Sequence, residues 1–268
     1  WSALGSGMNS QVNALAVSSS DLYAGGNFTA AGGVAANRIA KWDGSSWSAL
    51  SSGMGGASYT YVSALAVSGS DLYAGGWFTT AGDATANYVA KWNGSSWSTL
   101  GAGMDSYVYA LAVSGSDLYV GGSFTAAGDV TANYVARWNG SSWSALGSGI
   151  GGDFPSVSAL VVSGSDLYAG GSFTAAGGVA ATNIAKWDGN QWSALGSGVN
   201  STVVALAVSG SDLYVGGSFT AAGGVAATNI AKWDGNQWSA LGSGVNSTVV
   251  ALAVSGSDLY VGGSFTAA

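Results

Sequence analysis

The chain has 268 residues, including 45 Gly, 12 Trp and 12 Tyr, with neither Cys nor His. That inventory excludes disulfides, thiol and imidazole catalysis, and Cys/His zinc sites. Only 7% of residues are charged, every acid is Asp, and a net charge of −7 without a basic cluster argues against a nucleic acid held through its phosphates.

Glycine-rich composition alone would suit a disordered chain, but 48% of the residues are hydrophobic and supply a core. Gly, Ser and Asn break every uncharged run, so no membrane-spanning helix is expected. The period-two alternation is shared with outer-membrane barrels. Those need strands near ten residues, about twice the length of the WSAL segments. The sequence opens on Trp1 without Met or a leader, as a trimmed segment would.

In chain order, residues 1–4 (WSAL) are short and apolar and end at Gly-Ser-Gly. Residues 12–17 (VNALAV) form an apolar run suited to a strand buried on both faces. Residues 18–21 are a turn, with Gly in place of Ser19 in later copies. Residues 21–28 (DLYAGGNF) predict a second strand, whose paired glycines allow close approach of a backbone or a large ring. Residues 29–36 are a small-residue loop, and 37–42 (NRIAKW) a third strand. Asp43-Gly44 predicts a tight type I′ hairpin. Residues 47–50 then form a fourth strand.

This pattern restarts at Trp47, Trp97, Trp143, Trp192 and Trp238, in steps of 46, 50, 46, 49 and 46 residues. The 31 residues from Trp238 repeat those from Trp192 without a change. Four short antiparallel strands per repeat cannot bury both faces of their sheet, so the sheets must stack on one another. The expectation is one all-β domain over residues 1–268, a β-propeller of about six four-stranded blades, the sixth incomplete. Small residues in the first strand (Ala14, Ala16, Ala64, Ala66) suit the inner end of each blade. The Trp pairs suit packing between blades at the outer end. Lys41, Lys91, Arg137, Lys186 and Lys232 recur in the third strand, where each can pair with a nearby Asp.

The LYVGG run at 213–217, Trp-Asp-Gly at 233–235 and Trp238 resemble the kelch-type blade. Trp stands here where kelch blades usually have Tyr. The Gly/Ala/Ser-rich units are also similar to propeller repeats of bacterial surface proteins. The resemblance covers the whole chain and implies the fold and an extracellular or cell-surface location. It implies no activity, since propellers host many functions.

The sixth repeat lacks the segment GGVAATNIAKWDGNQ, and residues 1–4 would supply its fourth strand. Three accounts stay open: chain beyond Ala268 completes it, the N-terminal strand moves inward, or another molecule supplies the strand. The last predicts self-association through the incomplete blade.

Function is sought where repeats differ. Insertions occur at 55–61 (GGASYTY) and 151–156 (GGDFPS), both between a fourth strand and the next first strand. Asp105 and Asp153 fall in that kind of loop, Asp83 and Asp129 in the second-to-third-strand loops, and the last two repeats have no acid at these positions. Trp77, Tyr59, Tyr61, Tyr107 and Phe154 lie in or near the same loops. An acidic, aromatic-bordered face on blades two to four is expected. It suits a carbohydrate or a protein loop, since rings stack on apolar sugar faces and carboxylates accept hydroxyl hydrogen bonds. Repeat drift explains the same residues without a ligand, because Asp and Tyr also suit turns and strand ends. Calcium would use the same Asp residues, but no D-x-D-x-D-G spacing supports it. A non-catalytic binding scaffold without cofactor or metal is expected. The alternatives are a ligand-free structural or engineered repeat, and a glycan-active enzyme using a pair such as Asp105 and Asp129.

Overall fold

The computed structural model describes residues 2–56 and 58–268, and these contain strands and turns but no helix. Two compact units divide the chain. The first is Trp1–Thr131 with Arg137–Ser144, and the second is Ala132–Ala136 with Ala145–Ala268.

In the first unit, Val12–Ser18 pairs with Asp21–Gly26, then Ile39–Trp42, then Trp47–Ala49, all antiparallel. Tyr61–Ser68, Asp71–Trp77, Val89–Trp92 and Trp97–Thr99 repeat the plan. Val108–Ser114 and Asp117–Gly122 form the hairpin of a third copy. The second unit holds two further copies, Ser156–Ser163 to Trp192–Ala194 and Val203–Ser209 to Trp238–Ala240. The sixth repeat contributes the hairpin of Val249–Ser255 and Asp258–Gly263. The expected strand at residues 1–4 lies partly outside the described residues, and Ser2–Leu4 form no strand.

Local chemistry accounts for the turns. Ser18 faces Asp21 across a two-residue turn, and Ser19 there takes a φ of 53°. Later repeats put Gly at this position, where positive φ costs least. The Asp-Gly turn departs from the type I′ expectation. Of that dipeptide only Gly44 has positive φ, and the connection is four residues, 43–46. The Asp43 carboxylate explains it: Oδ1 accepts from the backbone N–H groups of Ser45 and Ser46, both at 2.8 Å. The expected loop at 29–36 also contains a small hairpin, Ala30–Ala31 with Val34–Ala35.

The core lies between neighbouring sheets. Tyr23 and Ile39 of the first sheet pack with Leu50, Met54, Val62, Leu72 and Trp97, and in the second unit Tyr168 and Ile184 pack with Leu195, Val203, Leu213 and Trp238. The first glycine of the pair on the second strand makes room for this contact, as at Gly25, Gly75, Gly170 and Gly216. A methyl placed on Gly25 would sit 2.5 Å from Val62 Cγ1, and one on Gly26 would run into the backbone carbonyl of Gln11, so the second glycine admits the expected backbone and the first a valine rather than a ring. Burying one such valine contributes about 1.5–3 kcal/mol. Trp Nε1 groups tie each repeat to the one before: Trp97 donates to Leu50 O at 3.1 Å and Trp192 to Leu146 O at 2.8 Å. The third-strand cations reach the hairpin acids, as in Lys41–Asp21 at 3.1 Å and Lys186–Asp166 at 3.1 Å.

Candidate functional site

The insertion at 55–61 is anchored before it is displayed. Met54–Gly55 pairs with Thr80–Ala81, which pairs back on Ala84–Thr85. The same insertion lengthens the following hairpin by one rung, so Tyr61 faces Trp77 across the strands. In the first sheet the corresponding second strand ends at Gly26, without that rung.

The extra rung gathers rings of the first unit into one cluster. Tyr59 stacks on Trp77 with centroids 6.4 Å apart and planes 23° apart. Tyr61 meets Trp77 edge-on at 6.1 Å and 87°. Trp77 lies 4.7 Å from Tyr107, which contacts Tyr88 at 5.9 Å and Tyr109 at 6.3 Å. Tyr59 is 74% exposed, whereas Trp77, Tyr61, Tyr107 and Tyr88 are half-buried. Offset and edge-on pairs of this kind hold rings in place by about 0.5–1.5 kcal/mol each. Burial pushes the Tyr61 hydroxyl pKa up, and the neighbouring Tyr109 and Tyr107 add to the rise. It therefore stays a neutral donor and acceptor at physiological pH.

Tyr88 and Tyr109 are members that the sequence reading did not single out. Tyr88 has a φ of 63°, unusual for a bulky residue. In the fourth and fifth sheets the same left-handed position is Asn, and Asn183 and Asn229 use it to donate to Val199 O and Val245 O. In the second sheet that tie moves back one residue, with Asn87 donating to Ala102 O at 3.0 Å. The shift from Thr-Asn to Asn-Tyr frees the left-handed position for a ring. It is visible in the sequence when the repeats are aligned.

The acidic residues Asp83, Asp105, Asp129 and Asp153 all sit in turns or bends. Asp105 Oδ1 accepts from the N–H groups of Thr125 (2.8 Å) and Ala126 (3.1 Å), and Oδ2 from Thr125 Oγ1 (2.7 Å). Asn9 and Asn200 make the same backbone ties in their repeats. Partial burial raises the Asp105 pKa, but the bonds from Thr125 and Ala126 outweigh it and hold the carboxyl below its usual range. Asp83 is exposed in the turn between Thr80–Ala81 and Ala84–Thr85. Asp129 is exposed in the corresponding turn, beside a hollow of about 250 Å³ bordered by Trp138 and Trp143. Asp153 and Phe154 belong to the second unit; Phe154 is 97% exposed with a φ of 52°. A larger hollow of about 470 Å³ surrounds Asp166, Lys186 and Trp233. A similar one surrounds Asp21, Lys41 and Trp92, so it follows the repeat rather than any one blade.

Repeated four-stranded antiparallel sheets of this kind, packed on their neighbours within each unit, define a β-propeller. The WD40 beta propeller domain of Doa1 superposes with a TM-score of 0.62 at 16% identity, over 94% of this chain and 75% of that one. The computationally designed Ika8 protein gives a TM-score of 0.62 at 21% identity, over 96% and 69%. The profile of the Rax2 C-terminal beta propeller domain matches residues 95–247, and the chain belongs to that family. No curated protein matches the sequence. Among the described residues, no helix is long and apolar enough to cross a membrane.

Proposed function

We propose that the chain is a non-catalytic binding scaffold, acting outside the cell or at its surface, and that it takes carbohydrate on the aromatic face of its first unit. The observation that carries this reading is the stack of Tyr59 on Trp77, braced from behind by Tyr107. An exposed ring held by half-buried ones offers a flat apolar platform at low entropic cost. Tyr61 and Tyr107, whose rings contact Trp77, carry hydroxyls that can donate to and accept from sugar hydroxyls. The kelch-type and surface-protein resemblance of the repeats supports the location. The carboxylate of Asp105, engaged in its own loop, supports binding rather than acid–base catalysis.

The test is a glycan array probed with the parent and with Tyr59→Ala and Trp77→Ala. Saturable binding lost in both variants, with melting temperature retained in Tyr59→Ala, supports the reading. Equal binding by all three proteins removes it. A ligand-free scaffold is the second reading. It is favoured by the fifth and sixth repeats, which match wherever both exist. It predicts no glycan binding at all.

A further inference from the structure

The hollow beside the third-strand cation recurs with the same walls inside each unit. In the second unit Asp166, Tyr168 and Lys186 of one sheet border about 470 Å³ together with Trp233 of the next. In the first unit Asp21, Tyr23 and Lys41 border about 320 Å³ together with Trp92 of the next sheet. Both volumes lie at the lower end of the roughly 300–1,000 Å³ usual for small-molecule sites.

The walls carry polar atoms that the fold leaves unpaired. Lys41 bonds Asp21 through Oδ2, and Lys186 bonds Asp166 in the same way, both at 3.1 Å. Each carboxylate so keeps Oδ1 as an acceptor, each ammonium keeps further N–H groups, and both pairs are partly open to solvent. Tyr23 is 7% exposed and Trp92 is 9% exposed. Neither the Tyr23 hydroxyl nor the Trp92 indole N–H has a hydrogen-bond partner among the described residues, whereas the neighbouring Trp97 donates to Leu50 O. Among those residues Arg137 Nε is the one polar side-chain atom both fully buried and unpaired, so the polar ends of Tyr23 and Trp92 reach open space. Buried rings whose polar ends stay unpaired call for a partner, and a ligand in the hollow they border would supply it.

The ion pair sets the class of that ligand. A charged molecule would be attracted by one member and repelled by the other. A hydroxyl suits both, since its oxygen accepts from Lys Nζ while its proton is donated to Asp Oδ1. Neighbouring hydroxyls then accept from the indole N–H and exchange a bond with the phenol. At the rim of the second-unit hollow, Asp234 Oδ1 is engaged by the N–H groups of Asn236 (2.9 Å) and Gln237 (2.8 Å) in its own turn. We infer that the hollow is a second binding site, present in both units, for a small neutral polyhydroxylated molecule, either a single pyranose ring or a cyclic polyol. It shares no residue with the aromatic platform and does not rest on it.

Saturation-transfer NMR with free glucose, galactose, mannose and myo-inositol tests this, followed by titration of the strongest binder. Glucosamine and glucuronate are the charged controls. The parent and Trp77→Ala should bind the neutral probe alike, with more than one molecule per chain, and better than either control. Tyr23→Phe/Tyr168→Phe removes only the two phenol hydroxyls. It should weaken binding roughly three- to tenfold, the worth of one hydrogen bond at each site, and still melt cooperatively. Absence of saturable binding by all four neutral probes overturns the inference, as does tighter binding of a charged control. Full affinity in the double variant overturns it too. Loss of binding in Trp77→Ala would move the ligand to the aromatic platform and equally overturn it.

Discussion

The indole of Trp77 and the phenol of Tyr107 stand 4.7 Å apart, although they come from different repeats of the first unit. Tyr88 closes on the far side of Tyr107, at 5.9 Å and 79°, from a backbone position with positive φ. A left-handed conformation costs a non-glycine residue about 1–2 kcal/mol, and Asn tolerates it better than Tyr. Tyr88→Asn should therefore leave stability unchanged or raise it by up to about 1 kcal/mol, while weakening ligand binding through loss of the brace on Tyr107. Thermal melts beside a binding titration read both effects. A variant that loses stability and keeps full affinity would contradict this assignment.

Gly25 and Gly262 hold the same place in their repeats but meet different surroundings. Gly25→Ala forces a methyl into Val62 and should cost about 1–3 kcal/mol, the usual range for overpacking. Gly262→Ala meets only ordinary contact and should cost a few tenths of a kcal/mol. Chemical denaturation of both variants at low protein concentration checks the difference. Equal costs would mean that the seat of Val62 is less tight than the structure has it.

The repeat made the blades legible. From Val12 onward the apolar runs bounded by Gly and Ser became strands, whereas Ser2–Leu4 did not, and the recurring Lys and Asp became ion pairs such as Lys232–Asp212 at 3.0 Å. The turn after the third strand was not legible in the same way. The dipeptide Asp43-Gly44 signals a two-residue hairpin, but the carboxylate bonds of Asp43 to Ser45 and Ser46 select a four-residue one. Tyr59, Trp77 and Tyr107 drew attention by breaking the repeat. Tyr88 escaped because it replaces an Asn whose role had moved to Asn87. The bonds of Asp105 follow those of Asn9 and Asn200, a similarity hidden by reading the acid as an acceptor for a ligand's hydroxyls rather than for its own loop.

Trp97→Phe removes the donor to Leu50 O, a bond between two buried residues. An unpaired buried carbonyl costs about 1–3 kcal/mol, and the lost ring volume adds to it. Trp77→Phe, at a half-buried position, should cost less. Denaturant midpoints of the two variants, compared under equal conditions, decide it. A Trp97→Phe protein as stable as the parent would show that the bond carries no weight.

The carboxyls of Asp43, Asp188 and Asp234 are lowered chiefly by hydrogen bonds from the backbone of Ser46, Gln191 and Gln237, and Asp105 is lowered as described above. Unfolded Asp titrates near about 3.9. The stabilising contribution of these groups is therefore complete above that pH and is lost as pH falls through their lower folded values. Lys41, Lys91, Lys186 and Lys232 are raised chiefly by the hydrogen bonds they donate to Asp21, Asp71, Asp166 and Asp212. Their contribution is complete below about pH 10.4 and is lost as pH rises through the folded values. Melting temperature should be flat between about pH 5 and 9 and fall on either side. Asp105→Asn should keep the loop ties and flatten part of the acid limb, whereas Asp105→Ala should cost about 1 kcal/mol or more at neutral pH.

Isothermal titration of the strongest glycan from an array, into the parent, Trp77→Ala and Tyr134→Ala, tests the binding claim most directly. Tyr134 shares the left-handed position of Tyr88 in the next repeat and so controls for a general loss of aromatic surface. The account predicts saturable binding by the parent and Tyr134→Ala, and a loss of at least about tenfold, or about 1.4 kcal/mol, in Trp77→Ala. Unchanged affinity in Trp77→Ala, in a protein that still melts cooperatively, would contradict it.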